Sequence, residues 1–237
     1  MPFHTEGAHC APWRPSSRTN KMTVNSELIV LNVTRFRENS IVLHCLTKEW
    51  GRVGLMVSTK GHNSYFQPMN ILEADVTVNP RTTLWHARNF SICSPLVGIR
   101  SDLKKNSITM FMSEVLFKTV KETGRDNGIY DLCRQSVFTL DALETDFSNF
   151  HLYFLLELAA ALGFSPDFDS LAPFAGDNLM KLEAMMQCNL AESLLIPMNG
   201  TERSEIAESI IRYIAFHSES PVNIKSLAVL RELSAVR

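Results

Sequence analysis

Basic side chains recur in the connections of the first hundred residues, in a pattern suited to the phosphates of a nucleic acid. They fall between short apolar runs and are interleaved with the rings of Phe36, Trp50, Tyr65 and Phe66. Single-strand binders use cations along the phosphate backbone and flat rings against the bases. The candidate DNA-binding residues are Arg35, Arg37, Lys48, Arg52, Lys60, His62 and Arg81. In the competing interpretation, these charges only solvate loops and the rings cover the ends of the fold.

The remaining side chains offer no catalytic or metal-binding pattern. The five cysteines lie far apart and form no CxxC pair, and the histidines are scattered. There is no Walker loop, no set of Rossmann glycines and no nucleophile elbow. The sequence therefore predicts a protein without catalysis, cofactor or metal, and an unrecognised hydrolase is the third alternative. Unpaired thiols fit a reducing cytoplasm, and no apolar run approaches the roughly 20 residues of a membrane helix.

The elements that position the cations are short strands. The apolar runs are rich in Val, Ile and Leu and are bounded by Gly, Asn and charged residues, which is typical of strands. They cover Leu28–Leu31, Ile41–Leu43, Val53–Val57, Leu72–Val78 and Leu84–Ile92. Five such strands with a basic, polar rim predict an oligonucleotide-binding (OB) barrel over residues 22–100.

Beyond residue 100 the apolar spacing changes from strand-like to helical. Helices are predicted over Ser101–Thr123, Ile129–Leu143, Phe147–Leu162, Leu179–Cys188, Thr201–His217 and Ile224–Ser234, with a loop over 164–177. The predicted fold class is α+β, a five-stranded OB barrel followed by an all-α domain over residues 101–237. Residues 1–21 are rich in proline and lack an apolar core, which predicts a disordered leader.

The charge is distributed unevenly between these parts. The whole chain carries a net charge of −2, but residues 22–100 have 8 Lys/Arg against 5 Asp/Glu, and residues 101–237 have 12 against 19. The asymmetry has the direction that a nucleic-acid-binding barrel requires. An excess of three positive charges is also compatible with ordinary surface scatter.

Several short motifs along the chain resemble the bacterial recombination mediator RecO family. They include Arg37-Glu38-Asn39, the run from Leu46 to Arg52, Lys60-Gly61, Phe66-Gln67-Pro68 and the run from Leu162 to Pro166. The strand from Leu84 to Asn89, Arg212-Tyr213 and the segment from Ser226 to Leu233 also fit. The order and spacing of these motifs carry the resemblance, which covers roughly Leu28 to Leu233.

The resemblance implies a DNA repair mediator that is not an enzyme. Such a protein binds single-stranded and duplex DNA, promotes annealing, joins RecR and helps to load the RecA recombinase. It also recognises the acidic tail of single-stranded DNA-binding protein, which calls for an apolar groove with cations at its rim. Lys118 and Lys121 are the candidate partner-binding residues, because they lie three apart on one predicted helix beside an apolar stripe. The alternative is that they are the solvated flank of a core helix.

Two departures from the family pattern qualify these expectations. After Lys60-Gly61 the family commonly has a longer basic loop, whereas this chain continues to Pro68 without another Lys or Arg. Many relatives carry a four-cysteine zinc site, but the corresponding segment Phe168–Gly176 contains no cysteine, so no zinc is predicted. The short loop and the acidic helical half favour the alternative function, a barrel-plus-helix interaction adaptor with little DNA binding.

Overall fold

Five strands close into a barrel at the N-terminal side of the molecule. The computed structural model describes residues 21–58, 64–122, 128–219 and 221–235. The strands are β1 (Met22–Arg37), β2 (Ser40–Thr47), β3 (Gly51–Ser58), β4 (Ile71–Val78) and β5 (Leu84–Ile92). They follow the order β1-β2-β3-β5-β4, and β3 and β5 are the one parallel pair among the described strands. This closed five-stranded arrangement is the predicted OB barrel.

Helices make up the rest of the described chain, which confirms the predicted fold class. They are α1 (Val97–Ser101), α2 (Leu103–Thr119), α3 (Ile129–Ala142), α4 (Phe150–Ala161), α5 (Phe168–Ala175), α6 (Leu179–Gln187), α7 (Leu190–Leu195), α8 (Gly200–His217) and α9 (Ser226–Ala235). Two short 3-10 helices cover Phe147–Asn149 and Gly176–Asn178. The expected leader over 1–21 lies outside the described residues except for Lys21.

The first strand is much longer than its apolar run. Leu28–Leu31 is the middle of a 16-residue strand whose first half pairs with β4 and whose second half pairs with β2. The prediction that places Arg35 and Arg37 in a connection is therefore wrong, because both lie in β1 and only Glu38 and Asn39 make the turn. Ladder hydrogen bonds between the two backbones extend the hairpin although its side chains are polar.

The barrel and the helices share a hydrophobic core. Leu28 and Val30 point into the barrel, and the alternate residues Ile29 and Leu31 point outward because side chains alternate along a strand. The outward residues pack with Leu46, Met69 and Ile71 against the helices, and all five are at most 2% exposed. The proposed division near residue 100 thus separates two kinds of secondary structure that have a core in common.

Helix α4 lies at the centre of the helical part. Leu152, Leu155 and Leu158 are fully buried, as expected for a helix that is apolar nearly all round. Helix α2 packs beside it and is capped by Asp102, whose carboxylate accepts hydrogen bonds from the backbone N–H groups of Lys104 and Lys105.

The segment predicted as a loop over 164–177 contains helix α5. Asp167 and Ser170 form a capping box at its start, and this satisfies N–H groups that have no partner within the helix. Leu171 and Ala175 are buried against the neighbouring helices. Pro166 before the helix made the sequence read as a loop, and Pro173 lies inside the helix. Packing of the apolar face outweighs the local preference of these prolines.

Candidate nucleic-acid interface

The β1–β2 hairpin carries two of the predicted DNA-binding arginines around one cleft. Arg35 pairs with Ile41 and Arg37 pairs with Ser40, so Phe36 is the extra residue of a β-bulge. Strict alternation would send Phe36 to the opposite face from the two arginines, and a bulge redirects such a side chain. As a result Arg35, Phe36 and Arg37 all line a cleft of about 750 Å³.

The ring of Phe36 is the most accessible of the four aromatic candidates. Its side chain is 48% exposed, and the guanidinium carbon of Arg37 lies 5.3 Å from the ring centroid, within the range of a cation–π contact. Trp50 packs edge-on against Trp85, with centroids 5.3 Å apart, and Phe66 is buried against Phe90. Trp50 and Phe66 therefore pack in the barrel core, whereas Phe36 faces solvent.

Lys48 and Arg52 contact the helical part instead of facing the hairpin cleft. The ammonium of Lys48 lies 3.1 Å from both carboxylate oxygens of Asp131 in α3, and both side chains are exposed. The guanidinium of Arg52 donates hydrogen bonds to the Phe117 carbonyl and, at 3.1 Å, to Glu122. Only 14% of the Arg52 side chain is exposed. Their DNA-binding roles remain predictions, but these contacts use the donors that a phosphate would need.

The end of α2 covers part of the outer face of β2 and β3. The ring of His44 on β2 lies 4.9 Å from that of Phe117, and its Nδ1 is 3.8 Å from Glu122. Burial, helped by the charge of Arg52 and opposed by Glu122, lowers the pKa of His44. OB barrels bind oligonucleotides on the β2–β3 face, so in this protein part of that face is occupied by its own helix.

The other predicted cations are not brought into the hairpin cleft. Arg81 is exposed in the turn between β4 and β5, where its N–H donates to the side chain of Asn79, and it does not line the cleft. Lys60 and His62 lie outside the described residues. Of the seven predicted DNA-binding residues, the structure brings together Arg35 and Arg37.

The predicted relation between Lys118 and Lys121 is wrong. Helix α2 ends at Thr119 and Val120 has an extended backbone, so Lys121 lies beyond the helix and helical spacing does not apply. The apolar stripe beside them is the fully buried Met112, Val115 and Leu116, which cannot form a surface groove. The ammonium of Lys118 donates to the Asn223 carbonyl at 2.5 Å and lies 3.7 Å from Glu114.

A second groove, of about 440 Å³, lies between the barrel and the helices. Its lining includes Val33, Phe66, Met110, Phe117, Lys118 and Lys225. Lys225 stands just before α9, whose first residue Ser226 donates from its backbone and its hydroxyl to Glu114. Sequence reasoning missed Lys225 because it is a single cation in an acidic half, and only the packing of α9 against α2 brings it to this groove.

The described residues contain no metal-binding cluster of three or more His, Cys, Asp or Glu side chains. The prediction of no zinc remains a prediction. Within the same part of the chain, no helix combines the length and the apolar character needed to cross a membrane.

Comparisons with known proteins agree with the fold and the motifs. Residues 100–173 match the family model described as Recombination protein O C terminal. The chain is 27% identical over 235 residues to the DNA repair protein RecO of Bacteroides fragilis, covering 86% of this chain and 96% of that protein. It is 27% identical over 237 residues to the RecO of Flavobacterium psychrophilum, covering 90% and 99%.

A third relative is more similar over a shorter stretch. The DNA repair protein RecO of Flavobacterium johnsoniae is 31% identical over 153 residues, which cover 62% of this chain and 64% of that protein. The family match lies in the helical part, and the longer alignments extend over barrel and helices together. The chain is thus similar to DNA repair proteins of the RecO family along most of its length.

Proposed function

We propose that this protein binds DNA at its β1–β2 hairpin and promotes annealing without catalysis. The observation that carries the proposal is the cleft in which Arg35, Phe36 and Arg37 converge. A guanidinium group matches the geometry of a phosphate and can donate two hydrogen bonds to it. Contacts of this kind hold a strand without reading its sequence, which is what a protein that brings complementary strands together requires.

The test is the double variant Arg35→Ala/Arg37→Ala, compared with Arg88→Ala. All three arginines are exposed in the barrel, and Arg88 lies on β5, away from the cleft. Surface substitutions of this kind change the free energy of unfolding by about 0.5 kcal/mol or less. In the double variant, affinity should fall less steeply with salt. The slope of log affinity against log salt should become less negative by about 1.4, at about 0.7 per lost phosphate contact to a single strand. Unchanged affinity in a folded double variant would refute the site.

A mediator of this kind also needs protein partners. We propose RecR and the acidic tail of single-stranded DNA-binding protein as partners, and loading of recombinase on coated DNA as the outcome. Similarity to the RecO family supports both partners. Lys118 and Lys121 remain the proposed residues for the carboxylate of the tail, although they are not neighbours on one helix. Lys121 is exposed and is the more accessible of the two.

Each partner has a direct test. A fluorescent acidic-tail peptide titrated into wild type, Lys118→Glu and Lys121→Glu should bind more weakly to at least one variant. Equal affinity for all three proteins would remove both lysines, and no binding to wild type would remove this partner. RecR should co-elute with the protein in gel filtration. Incubation with DNA and magnesium should leave the DNA intact, whereas cleavage would favour the hydrolase.

The second candidate function is an interaction adaptor that binds little DNA. It is favoured by the covered β2–β3 face, by the engagement of Lys48 and Arg52 with helical residues, and by the absence of Lys and Arg from residues 61–80. DNA titration at low salt separates the two functions, because phosphate contacts are strongest there. Tight peptide binding without measurable DNA binding would establish the adaptor.

A further inference from the structure

We propose that a single DNA strand runs from the hairpin cleft along β1 into the groove between barrel and helices, where Lys118 and Lys225 hold its phosphates. This inference rests on the proposed function and extends its site beyond the barrel. It assigns a nucleic-acid role to Lys225 and to the interdomain groove. The occupant is single-stranded DNA, which can bend along a narrow, curved path.

The two concave regions form one surface. Val33 and Phe66 line both the hairpin cleft and the interdomain groove, so the two regions adjoin at these residues. Val33 is partly exposed on β1 and Phe66 is buried beneath it. From Val33 to Arg37 the strand spans about 13 Å at roughly 3.3 Å per residue. A DNA strand that passes the arginines and runs along β1 therefore reaches the groove within a few nucleotides.

The usual path across an OB barrel is restricted in this protein. Phe117 and Glu122 cover His44 and Arg52 on the outer face of β2 and β3. A nucleic acid on that face would have to displace a helix end that is bonded to Arg52. The route along β1 requires no such displacement, because its two concave regions are already open.

Cations lie at both ends of this proposed path for DNA, and apolar groups lie between them. Arg35 and Arg37 occupy one end and Lys118 and Lys225 the other. Between them, Val33, Met110 and Phe117 offer the apolar surface on which bases can rest. Successive cations with apolar or aromatic surface between them are the arrangement that sequence-independent single-strand binders use.

The carboxylate inside the groove is already engaged. Glu114 accepts hydrogen bonds from the backbone N–H groups of Lys225 and Ser226, at 3.1 and 2.8 Å, and one from the Ser226 hydroxyl. Burial alone would raise the pKa of Glu114, but these hydrogen bonds outweigh it and lower the pKa. Its charge is thus shared between the start of α9 and the ammonium of Lys118, 3.7 Å away, and the side chain of Lys225 remains exposed.

The experiment measures the binding of oligothymidylates of about 4, 8, 12 and 16 nucleotides, which span the range of site sizes for OB folds. The variants are Lys225→Glu and, as a matched control, Lys104→Glu. Lys104 is also exposed but lies at the opposite end of α2 from Lys118. Fourteen residues at about 1.5 Å each place them about 21 Å apart.

In wild type, affinity should rise with length until the oligonucleotide fills both regions. Lys225→Glu should leave the affinity for the shortest oligonucleotide unchanged, lower the affinity for 12 nucleotides several-fold and reduce its salt slope by at least about 0.7. Lys104→Glu should match wild type. A gain-of-charge variant, Met110→Lys, should bind the longer oligonucleotides more tightly than wild type does. Its control is Leu103→Lys on the same helix, outside the groove, and Met110 and Leu103 are both exposed in wild type, by 44% and 68%.

The outcomes separate this inference from the function on which it rests. If affinity depends on oligonucleotide length in the same way in wild type, Lys225→Glu and Met110→Lys, the proposed path through the groove is refuted. The hairpin site is not affected by that result. An unchanged affinity of Arg35→Ala/Arg37→Ala would refute the hairpin site instead, and an absence of DNA binding by wild type would refute both. Loss of acidic-peptide binding in Lys225→Glu with an unchanged DNA length series would show that the groove is a peptide site.

Discussion

Replacing Arg52 by alanine should destabilise the protein without weakening DNA binding. The side chain is 14% exposed and spans from β3 to the end of α2, where its guanidinium lies 4.9 Å from the Phe117 ring centroid. It also donates to the Phe117 carbonyl and to Glu122. Its loss leaves the part-buried Phe117 carbonyl without this donor and removes a contact between barrel and helices.

The magnitude follows from these contacts. A hydrogen bond that involves a charged group contributes about 1.5–3 kcal/mol, and a partly desolvated cation–π contact contributes about 1 kcal/mol. The pair with Glu122 adds less than about 1 kcal/mol, because that carboxylate is 45% exposed. Since the contributions overlap, we expect the free energy of unfolding to fall by about 3 kcal/mol. Arg52→Lys should lose part of this, because an ammonium cannot keep the planar contacts.

Urea unfolding followed by circular dichroism measures the loss, and DNA titration is performed on the same preparations. Lys48→Ala is the matched control, because its pair with Asp131 is exposed on both sides and should be worth about 0–1 kcal/mol. The reasoning would be refuted if Arg52→Ala kept the stability of wild type and bound DNA at least tenfold more weakly. That result would assign Arg52 to the DNA interface, as the sequence suggested.

Four further outcomes are expected. Single-stranded DNA should bind with a log–log salt slope of about −2 to −3, from three or four phosphate contacts, and an affinity independent of salt would contradict electrostatic binding. Burial, with a smaller contribution from Arg203, lowers the pKa of His151 from 6.5 to about 3. Because the unfolded chain binds a proton at His151 that the folded protein excludes, the free energy of unfolding should fall as the pH decreases. The fall should be up to about 1.4 kcal/mol per pH unit between about pH 6 and pH 4. Urea titrations test this, because wild type should show this decline and His151→Leu should not. Ile71→Ala should cost about 2–5 kcal/mol and lower the unfolding midpoints of barrel and helices together, whereas separate transitions would contradict a shared core. Elemental analysis should find no stoichiometric zinc, and about one zinc per chain resistant to dialysis would show that the segment Phe168–Gly176 was misread.

The barrel was predictable because its inward-facing residues form short apolar runs. The ends of its strands were not predictable, because polar residues there give no indication in the sequence that their backbone pairs with a neighbouring strand. Thr23 and Asn25 extend β1 only because β4 supplies the partner backbone. Arg35–Arg37 extend it at the other end because β2 does the same.

The site was predictable in its residue types more than in its arrangement. The sequence indicated Arg35 and Arg37 as DNA-binding candidates, and the structure places them around one cleft. It could not show that Arg52 meets Glu122, because the two residues are 70 positions apart and no local pattern links them. Lys225 was missed for the same reason, since it reaches the interdomain groove only through the tertiary packing of α9.

The shared core has a consequence for synthesis on the ribosome. Ile29, Leu31, Leu46, Met69 and Ile71 form an outer wall that only the later helices cover. The barrel strands emerge first, and about 70 more residues must be made after Ile71 before α3, which packs against β1 together with α2, ends at Ala142. At about 5–20 residues per second, the nascent barrel exposes this wall for roughly 4–14 s. A chain cut after β5 would keep the wall exposed permanently, and such a fragment should be retained by chaperones or aggregate.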